Sequence, residues 1–212
     1  EKPEEFSITY EELGRKSSIL AKRLQDNGTK RDKVIGVYMK RSINYIISLI
    51  GIFKAGGVYL PLDLNYPYNY LNTIANESKL HIVLTDHAES LNQFEGIQIL
   101  DVSHLEGDEN FQHLDTIDYP AILMYTSGST GNPKGVMISH ENIANLFSEN
   151  PDNIIYNAYK NMKKTLAITT VSFDTFLLDF NALTFGLEVV LANDSEIKNI
   201  EELTNLIHKQ KP

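Results

Sequence analysis

Val34-Ile35-Gly36-Val37-Tyr38 is an unbroken apolar run, and Val58-Tyr59-Leu60-Pro61 is another. Between them, after Ser42, the residues Ile46, Ile47, Leu49, Ile50 and Phe53 recur at helical spacing until Gly56-Gly57 closes the stretch. A strand buried on one face alternates apolar and polar residues. Unbroken runs belong to strands covered on both faces, as parallel strands joined through crossover helices are. The stretch from Val34 to Pro61 therefore reads as strand, helix, strand, with Ser42 as the N-cap of the helix. It sets the fold class: α/β, three-layer, a largely parallel sheet flanked by helices.

The same rhythm extends in both directions. Thr9-Tyr10-Glu11-Glu12 has the form of a capping box, Leu13, Leu20 and Leu24 share one helical face, and Asn27-Gly28 is a stop signal. Downstream the pattern predicts a helix near residues 68–78, strands at His81-Ile82-Val83-Leu84 and Ile97-Gln98-Ile99-Leu100, and a polar loop over 103–118. A strand at Ala121-Ile122-Leu123-Met124 follows, then a helix over 140–148 and a strand over 166–170. An apolar helix over 176–185, a strand at Glu188-Val189-Val190-Leu191 and a helix over 200–209 complete the chain. No repeat, low-complexity tract or Pro/Gly/Ser linker divides it. An α/β unit places a further strand after such a helix, so residues 1–212 read as part of one domain.

Composition narrows the function classes. The 212 residues carry 28 acidic and 19 basic side chains, a net charge of −9, which argues against a nucleic-acid partner. With no cysteine, disulfides, thiol nucleophiles and cysteine-ligated metals are excluded. No apolar run approaches the roughly 18 residues of a membrane span. These features fit a cytoplasmic enzyme. The histidines His81, His87, His104, His113, His140 and His208 show neither HxxxH nor HxH spacing, so no metal site is expected.

The segment with most chemical content is Tyr125-Thr126-Ser127-Gly128-Ser129-Thr130-Gly131-Asn132-Pro133-Lys134-Gly135. Its glycines allow backbone amides to converge on an anion, its hydroxyls add donors, and its lysine adds a compact cation. This is the chemistry of a polyphosphate loop. The Walker pattern fails, because Lys134 precedes Gly135 and Val136 stands where a hydroxyl is needed. The dinucleotide GxGxxG pattern is absent as well.

This segment resembles the signature loop of the acyl-adenylate-forming enzymes, which include acyl-CoA synthetases, luciferases and nonribosomal peptide synthetase adenylation domains. Three more stretches agree in order. Ile8-Thr9-Tyr10-Glu11-Glu12-Leu13 resembles the opening "LTYxEL" element. Phe53-Lys54-Ala55-Gly56-Gly57-Val58-Tyr59-Leu60-Pro61-Leu62-Asp63, continued by Tyr66-Pro67, resembles "LKAGxAYVPLD". Ser172-Phe173-Asp174-Thr175 resembles "FDxS". Together they look like the N-terminal portion of an amino-acid adenylation domain.

The resemblance implies an ATP-dependent ligase that forms an aminoacyl-adenylate, with Mg2+, and loads it on the phosphopantetheine thiol of a carrier-protein domain beside neighbouring synthetase domains. It assigns the ATP phosphates to Thr126, Ser127, Gly128, Ser129, Thr130 and Gly131, with Lys134 anchoring the loop or screening charge. It pairs Asp174 with the α-ammonium of the amino-acid substrate and puts Thr175 and Leu178 on the pocket wall. Here Thr175-Phe176-Leu177-Leu178 departs from the family's usual small residue, serine and aromatic stretch. The family's ribose-binding acid, magnesium-associated glutamate and catalytic lysine come after "FDxS", so no catalytic residue is assigned and the isolated chain is expected to be inactive. The competing readings are another acyl-adenylate-forming ligase, acting on CoA or a stand-alone carrier protein, and a non-catalytic nucleotide-binding or interaction module.

Overall fold

A computed structural model describes residues 7–87, 94–127, 133–150, 152–171 and 175–212. The decisive stretch folds as expected. Strand β1 (Val34–Val37) is followed by helix α2 (Ile43–Ala55) and strand β2 (Val58–Pro61), after the opening helix α1 (Tyr10–Asp26). Ser42 caps α2 by accepting from the Tyr45 amide. Gly56 ends it at φ 78°, where a Cβ would be strained and would also come within 2.7 Å of Leu114.

Among the described residues the main sheet has six strands in the order β4-β3-β1-β2-β5-β6, where β3 is Ile82–Thr85, β4 Gln98–Asp101, β5 Pro120–Ser127 and β6 Pro133–Ser139. β1, β2, β3, β4 and β5 run parallel. Alternate residues of each strand enter different cores. Ile35, Val37, Tyr59, Ile82, Leu84, Ile122 and Met124 pack with Leu20 and Leu24 of α1 and Ile47 and Ile52 of α2. Val34, Val58, Leu60, Val83 and Leu123 pack on the opposite face with Leu71 and Ile74 of α3 (Tyr68–Glu77). Helices on both faces make the three layers. Each fully buried Leu or Ile contributes about 1.5–3 kcal/mol.

The polar segment between β4 and β5 holds no helix or strand and returns across the α1–α2 layer. Gln25 pins it there through a pair of 2.8 Å bonds, one from its amide nitrogen to the Gln112 carbonyl and one from the Gln112 amide to its own oxygen. Lys54 of α2 ties its layer together, donating to the Gly14 carbonyl and to the hydroxyls of Ser17 and Ser18 on α1 at 2.8–2.9 Å.

Beyond β6 come α4 (His140–Leu146), α5 (Ile154–Tyr159), β7 (Lys164–Ala167), α6 (Phe176–Thr184), β8 (Glu188–Leu191), α7 (Asp194–Lys198) and α8 (Ile200–Gln210). β7 and β8 form a small parallel sheet, and Ala167 and Phe176 join the core cluster of α1 and α2.

Three expectations need correction. β6 was not anticipated: Pro133 can open an edge strand, and the pattern Val136-Met137-Ile138 then pairs antiparallel with β5. β7 begins and ends earlier than residues 166–170, because β8 offers partners only as far as Leu191, opposite Ala167. The Thr169 amide donates instead to the Asp179 carboxylate at 2.6 Å. The capping box at α1 is half formed: Thr9 accepts from the Glu12 amide, while the Glu12 carboxylate pairs with Lys16 at 2.9 Å.

Candidate functional site

The polyphosphate motif begins in β5 and ends in β6. β5 runs parallel to β2, so the last residues of β5 sit at the carboxyl-terminal edge of the main sheet, the edge at which open α/β sheets receive ligands. Thr126 stands opposite Lys134 across the two strands, and its hydroxyl reaches the Lys134 carbonyl at 3.4 Å. Both residues are exposed. The Ser127 backbone is the last of β5, paired with Pro133. Gly128, Ser129, Thr130 and Gly131 lie outside the described residues. The structure therefore brings Thr126 and Lys134 together, a hydroxyl residue and a lysine paired across adjacent strands. Such a donor set fits an anion.

Tyr125, the first residue of the motif, belongs to the other face. It packs partly buried with the α3 cluster, and burial raises its phenol pKa. Gly135 shares that face, where a Cβ would come within 3.0 Å of Leu123.

The second candidate group follows β7. Asp174 lies outside the described residues. Thr175 is the N-cap of α6, without a side-chain cap bond, and the Leu178 amide donates to the Thr175 carbonyl at 3.0 Å. Thr175 is exposed and Leu178 half-buried, so the two share the first turn of α6. Tyr159 of α5 steadies this turn by donating to the Leu178 carbonyl at 3.1 Å. The two groups stand on different sheets.

Between the sheets a cleft of about 340 Å³ opens at their carboxyl edges. Lys40 and Arg41 after β1, Asp63 after β2, Thr170 and Val171 after β7, and Asp194 of α7 line it. None of Thr126, Lys134, Thr175 and Leu178 is on its wall. The sequence reading passed over Arg41. It is only 9% exposed, and its Nη1 donates to the Ala167 carbonyl at 3.0 Å. Burial lowers its pKa, against the opposing charges of Asp179 and Asp194. The adjacent cations Lys40 and Arg41, placed between an apolar strand and an apolar helix, were the available signal.

His140 opens α4, with its amide bonded to the Tyr119 carbonyl at 3.1 Å and its ring edge-on to Phe53 at 5.3 Å. Its Nε2 is buried without a partner, and burial lowers its pKa. Among the described residues no group of three or more His, Asp or Glu could hold a metal, and no helix is long and apolar enough to cross a membrane.

Comparison with known proteins gives this geometry a context. A model of the family described as AMP-binding enzyme matches residues 3–212. Tyrocidine synthase 3 of Brevibacillus parabrevis is 34% identical over 98% of this chain, which spans 3% of that protein's length. The N-terminal subdomain of Klebsiella oxytoca NpsA superposes over 98% of this chain and 54% of its own, at 26% identity and a TM-score of 0.82. NpsA fused artificially to ThdA as an adenylation–PCP di-domain matches with a TM-score of 0.84, at 25% identity over 98% of this chain and 42% of the fusion. FmoA3, a nonribosomal peptide synthetase bound to α-methyl-L-serine-AMP, matches at 27% identity over 87% of this chain and 21% of its own, with a TM-score of 0.76.

Proposed function

Because the chain belongs to the AMP-binding enzyme family, as the N-terminal part of a nonribosomal peptide synthetase adenylation domain, we propose that it serves an enzyme activating an amino acid with ATP. The carboxylate attacks the α-phosphate and pyrophosphate leaves. The aminoacyl group then passes to the phosphopantetheine thiol of a carrier domain. The carrier partner is supported by the adenylation–PCP di-domain among the similar structures, and the aminoacyl substrate by the α-methyl-L-serine adenylate bound to FmoA3.

Displacement of pyrophosphate needs little covalent help from protein, so positioning and charge stabilisation dominate. In this reading Thr126, Ser127, Ser129 and Thr130 donate to the β- and γ-phosphates with the amides of Gly128 and Gly131, and Lys134 screens their charge. Asp174 pairs with the substrate ammonium, a charge-assisted bond. Thr175 and Leu178 line the pocket. Magnesium, when bound, would neutralise phosphate charge; among the described residues no group of three or more His, Asp or Glu is placed to hold it. The observation that carries the reading is the hairpin at the carboxyl edge, with Thr126 opposite Lys134.

Amino-acid-dependent ATP–pyrophosphate exchange by the full-length gene product tests it. Asp174→Asn should raise the amino-acid KM at least tenfold with little change for ATP, and Lys134→Ala should lower exchange. No exchange with any amino acid, or an unaltered amino-acid KM in Asp174→Asn, would refute the reading.

A further inference from the structure

We propose that Arg41 is a positioning residue for the amino-acid pocket, acting from the main sheet on the first turn of α6. The proposal rests on the reading of Thr175 and Leu178 as pocket wall, and goes beyond it in naming what holds that wall.

Arg41 touches both ends of the connection between β7 and α6. Its Nη1 donates to the carbonyl of Ala167, the last residue of β7. Its guanidinium carbon lies 5.9 Å from the ring centroid of Phe176, the first residue of α6 and the neighbour of Thr175. From inside the same connection the Thr169 amide is held by Asp179, whose charge also acts on Arg41. One side chain from the β1–α2 corner thus reaches both Ala167, whose carbonyl also accepts from the Ala192 amide at 3.1 Å, and Phe176.

Stability alone is a weak reason for this arrangement. Arg41 is nine-tenths buried and its Nε is buried without a partner. Desolvating a cation costs several kcal/mol, and an apolar side chain of similar volume often serves a core as well or better. What the planar guanidinium provides and an aliphatic residue does not is direction: a donor aimed at one carbonyl while its face lies over one ring. That combination fixes the distance between the end of β7 and the start of α6. Asp63 and Asp194 line the adjoining cleft with Lys40 and Lys198, so Arg41 sits in mixed charge. Arg41 and the proposed phosphate residues, Thr126 and Lys134, stand on different connections of the main sheet, β1–α2 and the β5–β6 hairpin. Its effect should therefore fall on the amino acid and spare ATP.

The test uses full-length protein and pyrophosphate exchange with the best amino acid found. Arg41→Ala should raise the amino-acid KM at least tenfold while the KM for ATP and kcat stay within about twofold. Arg41→Lys keeps the charge and can reach the Ala167 carbonyl but loses the planar face, so its KM should rise only about threefold. The double variant Arg41→Ala/Leu178→Ala should be less impaired than the product of the two single effects, because the displaced wall has already lost the Leu178 contact. An unaltered amino-acid KM in Arg41→Ala, an equal rise in the KM for ATP, or multiplicative effects would each overturn the proposal. If Arg41→Ala gives no cooperative thermal transition, Arg41→Lys decides, and an unchanged KM there overturns it. Leu178→Ala separates the two levels. If it leaves the KM of every amino acid unchanged, the pocket reading fails; if it raises KM while Arg41→Ala does not, only the positioning role fails.

Discussion

Tyr45 of α2 and Tyr59 of β2 are both fully buried, and their hydroxyls hydrogen-bond to each other. Their rings meet edge-on at 6.3 Å, and Tyr45 meets Phe176 in the same way at 5.5 Å. The pair thus sits where α2, β2 and α6 converge. A hydrogen bond contributes only about 1 kcal/mol net, because the unfolded groups bond to water, but a buried group left without its partner costs about 1–3 kcal/mol. Tyr45→Phe or Tyr59→Phe alone strands one hydroxyl in a dry core and should cost about 1.5 kcal/mol. Replacing both removes the stranded group, so Tyr45→Phe/Tyr59→Phe should lie within about 0.5 kcal/mol of the parent, a coupling of about 2.5 kcal/mol. With a urea m-value of about 2–3 kcal/mol/M, each single variant should lower the unfolding midpoint by about 0.5–0.8 M. Alkali gives a second reading. Burial raises both phenol pKa values above the ordinary 10.0, so the folded state keeps protons that the unfolded chain releases. The pair's contribution is intact below about pH 10 and lost as pH rises beyond it, so the parent should unfold more steeply there than the double variant. Additive single effects, or neutral single variants, would refute the reasoning.

Two further outcomes follow from the same packing. Gly36 lies in β1 where a Cβ would come within 2.6 Å of Leu62 and 3.2 Å of Leu80, so Gly36→Ala should cost about 1–3 kcal/mol in urea unfolding; a neutral result would mean that Leu62 repacks freely. His140, its pKa lowered by burial, stays neutral in the folded chain while the unfolded chain takes up a proton as pH falls below about 6.5. Stability should therefore be full above that pH and decline below it, and His140→Gln should flatten the fall in Tm between about pH 7.5 and 5.5; an identical slope would sink the assignment.

Strand pattern and helix caps were legible where a local rule acts alone. The unbroken runs of β1 and β2 announced parallel pairing, and Ser42 and Gly56 marked the ends of α2 because their preferences come from their own backbone geometry. Where a residue has two partners to choose from, the sequence was ambiguous. Glu12 can reach back to its N-cap or forward to Lys16, and it pairs forward. β7 stops at Ala167 because its partner stops, a fact held in β8. β6 is mostly exposed and opened by proline, and only its pairing with β5 makes it a strand. The candidate site divides in the same way. Thr126 and Lys134 belong to one continuous motif, so the sequence offers them together as candidates, whereas the contacts of Arg41 lie more than a hundred residues away in sequence, at Ala167 and Phe176.

The joint between the two sheets bears on the proposed role of Arg41. Ala167 and Phe176 share the apolar cluster of α1 and α2, which holds the small sheet against the large one. Apolar burial is non-directional and resists separation more than sliding or rotation. Among the described residues, polar ties at opposite ends of the small sheet add direction. Tyr10 of α1 donates to the Leu187 carbonyl at 2.7 Å, just before β8, and Arg41 donates to the Ala167 carbonyl at the end of β7. β7 and β8 are parallel, so Tyr10 fixes the amino edge and Arg41 the carboxyl edge. Thr126 and Lys134 ride on the large sheet, Thr175 and Leu178 on the small one, and all four stand at carboxyl edges. Loosening the Arg41 tie should therefore shift one pair relative to the other, whereas loosening the Tyr10 tie should act at the opposite edge.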